Sequence, residues 1–85
     1  MKYNNTDILS HINKIIKQEH GTRVELDNLL IDSEIDSFGY AILFLELEDK
    51  YNIKFTPEYA KDIDYKKLKV SDLIEHIHTL VSKLQ

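Results

Sequence analysis

The chain has 85 residues, no cysteine and a formal net charge of −4, which excludes a disulfide framework and a thiolate metal site and leaves room for one domain, residues 1–85, with a modest core. An apolar content of 42% with mixed charge suits a folded globule and disfavours a disordered chain. The opening MKYNNTDILS has no apolar run, and the longest such run, Tyr40 to Leu45, is far short of the ~18 residues of a membrane span. No secretory leader and no membrane span are therefore expected, and a soluble cytoplasmic protein is the default expectation.

Helical periodicity starts at Ile8 and continues through Leu9, Ile12, Ile15 and Ile16, with Asn5 or Thr6 as the cap and Gly21 as the stop. Residues 22–35 form a long connection. Its Val24, Leu26, Leu29, Leu30 and Ile31 are too apolar for a free linker, so it is expected to pack across the other elements. A second helix is predicted from about Ser37 to Tyr51. Thr56-Pro57-Glu58 is a helix start, with threonine as cap, proline at the first position and an acid near the positive end; the short helix that follows ends at about Asp62. A last helix opens at Ser71, with Val70, Leu73, Ile74, Ile77, Val81 and Leu84 at helical spacing. The fold class predicted is all-α, a small bundle of three long helices and one short helix.

At ~100° per residue, the second helix is apolar on two sides. Tyr40, Phe44, Leu47 and Tyr51, with Leu43 beside them, form an inward stripe, whereas Phe38, Ile42 and Leu45 form a second stripe on roughly the opposite side. Such a helix is either buried all round, here under residues 22–35, or docks a partner with its spare face. The charge is also uneven. From Val24 to Asp49 there are eight acids and no lysine or arginine, whereas Phe55 to Gln85 balances five of each sign. Such a field repels nucleic acid and anionic lipid and attracts basic protein surfaces.

Metal chemistry finds no support. Asp32, Glu34 and Asp36 alternate as in a calcium loop, but Ser37 and Leu43 stand where the loop needs glycine and a bidentate glutamate. His76 and His78 lie two apart on one helix and so diverge, and no nucleophile–base–orienter set has a defensible spacing. Ser37 reads first as a helix cap. Asp36, however, is already a good cap, which frees the Ser37 hydroxyl to point outward in the first turn. A phosphate ester there would meet unpaired backbone N–H groups and the positive end of the helix dipole.

Ile35-Asp36-Ser37-Phe38, followed by an apolar helix ending Leu47-Glu48-Asp49-Lys50-Tyr51-Asn52-Ile53, resembles the acyl carrier proteins. The likeness extends over nearly the whole chain. It implies a monomeric carrier that is not an enzyme and has no metal. Ser37 would bear 4′-phosphopantetheine taken from coenzyme A, with Asp36 in support, and the arm would hold an acyl or aminoacyl group as a thioester. The implied partners are a phosphopantetheinyl transferase, an acyl- or aminoacyl-loading ligase and a downstream synthase or transferase, engaged through Phe38, Ile42, Leu45, Glu48 and Asp49. Gly39 and Ile42 stand where fatty-acid carriers commonly have acids, and Ser37-Phe38-Gly39 is closer to the Ser-x-Gly of D-alanyl and other specialised stand-alone carriers. The competing reading is a small helical interaction or regulatory module in which Ser37 only caps a helix.

Overall fold

The computed structural model describes residues 3–83. They form an all-α bundle of three long helices and one short one: α1 (Asn5–Gln18), α2 (Ser37–Tyr51), α3 (Pro57–Asp62) and α4 (Val70–Ser82). Leu84, expected on the last helix, lies outside the described residues.

Each start has a chemical cause. The Asn4 side chain accepts the Asp7 N–H at 2.8 Å, which places the α1 cap one residue earlier than expected. Asp36 caps α2, and Thr56 caps α3 ahead of Pro57. α4 opens at Val70 rather than Ser71, with Asp72 reaching back to the Lys69 N–H at 3.4 Å.

The end of α1 departs from expectation in an instructive way. The left-handed residue there is His20, with φ 63°, and not Gly21. Gly21 donates its N–H to the Ile16 carbonyl at 2.8 Å, and it is a glycine because of close approach. A Cβ at this position would sit 2.5 Å from the Ile35 Cγ2, 2.6 Å from the Ser33 carbonyl oxygen and 2.7 Å from the Ile16 Cγ2.

Residues 22–35 pack across the bundle as their apolar content demands, with Val24 and Leu30 fully buried. The connection also contains a 3-10 turn, Leu30–Ser33, that no periodicity announces. Asn13 of α1 holds the connection by a two-way clamp, donating to the Val24 carbonyl at 2.9 Å and accepting the Val24 N–H at 2.8 Å. On its other side, Leu30 N–H donates to the Leu68 carbonyl at 2.7 Å and Val70 N–H to the Asn28 carbonyl at 2.9 Å, around a bridge between Leu29 and Lys69. The buried Ser33 hydroxyl donates to the Leu30 carbonyl at 2.7 Å, so no buried polar group is left open there.

The core is built from Ile8, Ile12, Ile15 and Ile16 of α1, Tyr40, Leu43, Leu47 and Tyr51 of α2, and Leu73, Ile74, Ile77 and Val81 of α4. α1 packs on both α2 and α4. α3 contributes no fully buried side chain; Tyr59 attaches it by stacking on His76 of α4, with ring centroids 3.8 Å apart.

His76 makes this attachment sensitive to acid. Its Nε2 is buried without a hydrogen-bond partner, and burial, with the Lys83 ammonium as a lesser cause, lowers its pKa below 6.5. His11 is lowered in the same direction by burial and then by Lys50. A histidine whose folded pKa is lowered binds fewer protons in the native than in the unfolded state, so stability falls as pH drops through 6.5. The urea midpoint at pH 5.5 is expected to lie below that at pH 7.5, with a smaller difference in His76→Phe. An unchanged difference in that variant would assign the slope to His11 alone.

Candidate functional site

α2 begins where a well-defined corner ends. Asp36 Oδ1 accepts the Gly39 N–H at 2.8 Å, so the cap duty falls on Asp36 and Ser37 is the first residue of the helix, exposed to solvent. Gly39 is buried one turn in, under Ile35; a Cβ there would meet the Ile35 Cβ at 3.0 Å. Gly39 therefore has a packing reason. It lets the residue before the Asp-Ser pair fold down onto the helix.

Phe38 and Leu45 are the most exposed large apolar side chains among the described residues, at 70% and 64%. Ile42 departs from the expectation of an open second stripe. It is half-buried and packs against the core, because the wheel turns it ~60° from Leu45 toward the flank of buried Gly39. Phe44, expected inward, is likewise only half-buried.

Several of the eight acids turn out to hold backbone. Asp32 accepts the Leu29 N–H at 2.9 Å, Asp36 caps α2, and Glu48, half-buried, accepts the Phe55 N–H at 2.8 Å. Glu34 accepts the Thr22 hydroxyl at 2.6 Å, and Glu25 pairs with Arg23 at 3.2 Å in an exposed contact worth little. Glu48 is thus half-buried and pins the turn after α2. Asp49 is exposed. Glu48→Ala should cost about 1–3 kcal/mol by leaving a part-buried N–H unpaired, whereas Asp49→Ala should be near neutral; chemical denaturation of the two variants checks this contrast.

Beside Ser37 a cleft of about 320 Å³ opens between α2 and α3. Ser37 stands at its rim, and Phe44, Phe55, Tyr59 and Tyr65 line it. The rings order one another. Phe44 and Phe55 meet edge to face with centroids 5.0 Å apart, Phe55 and Tyr59 lie within 17° of parallel at 5.7 Å, and Tyr65 stacks on Tyr40 at 4.0 Å. Sequence reasoning missed this cleft, because its walls come from α2, α3 and the two connections around α3, and no single periodicity joins them. Among the described residues no cluster of histidine and carboxylate groups could hold a metal ion, and no helix is long and apolar enough to cross a membrane.

No family model and no solved structure matches the chain. Among curated proteins it is similar to Nodulation protein F of Rhizobium leguminosarum bv. viciae, 34% identical over 84 residues that cover 91% of this chain and 90% of that protein. With Asp36-Ser37 mounted at the mouth of an apolar helix in a bundle of three long helices and one short one, this near full-length likeness places the chain in the acyl carrier protein family.

Proposed function

We propose that the protein carries an acyl or aminoacyl group as a thioester on 4′-phosphopantetheine esterified to the Ser37 hydroxyl, and presents it to separate enzymes in the cytoplasm. The observation that carries this reading is the division of labour at the start of α2: Asp36 caps the helix, and Ser37 stands in the first turn, exposed. The residues fit the group. The first-turn N–H groups and the helix dipole favour a phosphodiester there, and the adjoining cleft leaves the arm a place to lie. When attached, the arm supplies the thiol that forms the thioester. The protein's own residues fix the attachment point, shelter the acyl end and offer a docking face.

That face is Phe38 and Leu45, with Asp49 near its end and Ile42 contributing only an edge. The partners are a phosphopantetheinyl transferase, an acyl- or aminoacyl-loading ligase and a downstream synthase or transferase, each presenting a basic and partly apolar surface. Incubation with coenzyme A and a broad-specificity transferase, followed by intact mass, tests the proposal. A gain of one arm supports it, and an unmodified protein returns Ser37 to an ordinary first-turn serine.

A further inference from the structure

The composition of the cleft beside Ser37 is unusual for this chain. Of eight aromatic residues in the sequence, the four that line it are Phe44, Phe55, Tyr59 and Tyr65. All four are half-buried, so each keeps part of its ring surface available to a guest. The rest of the wall includes Ala41, Leu45 and Glu48. Residues outside the lining stack on three of the rings, Tyr40 on Tyr65 and His76 on both Tyr59 and Phe55. Their orientation is therefore set before any guest arrives.

An apolar cleft takes up any hydrocarbon in proportion to the area it covers. What separates one hydrocarbon from another is geometry. Ring pairs gain attraction beyond area in offset or edge-to-face arrangements, which pre-oriented Phe55 and Tyr65 can offer to a flat guest and not to a methylene chain. A flat guest also loses fewer rotors on binding. Size sets only an upper limit and does not separate a single ring from a chain of similar atom count. About 320 Å³ lies near the lower end of small-molecule sites, which begin at ~300 Å³. Charge sets the last limit, since the Glu48 carboxylate in the wall repels an anionic end.

From these observations we infer that the cleft seats an aromatic acyl group, one ring or a fused pair without an anionic substituent, at the end of the arm on Ser37. Phe55 and Tyr65 are the residues that select it. This inference rests on the carrier reading above, and its test keeps the two apart.

A broad-specificity transferase with 3-phenylpropanoyl-coenzyme A or octanoyl-coenzyme A installs the loaded arm in one step, and intact mass verifies loading. The half-life of each thioester in hydroxylamine is then compared with that of the same acyl group on free pantetheine, which removes intrinsic reactivity. The phenylpropanoyl group should be protected about five- to tenfold more than the octanoyl group. Phe55→Leu and Tyr65→Leu, each verified as folded by its melting transition, should bring the two protections within about twofold while leaving an apolar cleft. Equal protection in the wild type, stronger protection of octanoyl, or a preference that survives in both folded variants would overturn the inference and leave the carrier reading intact. No mass gain from either donor would overturn the carrier reading, and the inference with it.

Discussion

Ser37→Ala is expected to remove all phosphopantetheine attachment while leaving the melting transition almost unchanged. The two halves of that result have separate causes. Attachment is lost because the exposed hydroxyl at the first position of α2 has no substitute; Ser33, the nearest other serine in the sequence, is fully buried with its hydroxyl committed to the Leu30 carbonyl. Stability persists because the cap is Asp36, whose carboxylate takes the Gly39 N–H, and alanine at an exposed first-turn position costs nothing in helix propensity. The complementary change separates the roles. Asp36→Ala should retain the hydroxyl yet lose about 1 kcal/mol of capping. Intact mass after incubation with coenzyme A and transferase, alongside thermal melts, reads both. A second modified residue in Ser37→Ala, or a large loss of stability there, would contradict the division of labour.

Gly21→Ala is expected to be strongly destabilising. All three of the nearest atoms to the added Cβ lie under 3 Å, and one of them is a backbone oxygen. The other two are methyl groups of Ile16 and Ile35, both buried and neither able to swing into solvent. Overpacking of this kind costs about 1–3 kcal/mol or somewhat more. In a domain of this size that lowers the melting midpoint by roughly 5–20 °C. The effect should not stop at stability. Ile35 directly precedes Asp36 and lies over Gly39, so displacing it shifts the corner that presents Ser37, and transferase modification should slow in molecules that still fold. Differential scanning calorimetry and a modification time course check the two consequences. A midpoint within a degree or two of wild type would mean that the end of α1 relaxes freely.

These two sites also show what the sequence could and could not disclose. The bounds of α2 were legible because Asp36 is a cap and an apolar run begins immediately after it, both local signals. The start of α1 was off by one residue because Asn4, Asn5 and Thr6 are all acceptable caps and only the geometry picks the one that reaches the Asp7 N–H. Gly21 was legible as punctuation but not as a spacer, since the need for glycine arises from Ser33 and Ile35, more than ten positions away. Phe38 and Leu45 were legible as an outward pair, while Ile42 was misplaced because a three-residue stripe on a wheel ignores how far a neighbour wraps around the flank. Glu48 illustrates the same limit for charge. An acid near a helix end reads as a surface charge until the chain turns back and offers it the Phe55 N–H. The aromatic cleft was beyond reach for the most general reason, because its residues converge only after separate elements have folded.

The light anchoring of α3 sets a hierarchy of opening within the molecule. Six residues with no fully buried side chain, attached through Tyr59 to His76 and Phe55, make a segment cheaper to detach than α1, α2 or α4. Its departure would widen the cleft beside Ser37 and expose rings while the isoleucine and leucine core stayed closed. Local opening of α3 would thus give a guest a route to solvent that does not wait for the rest of the bundle to loosen.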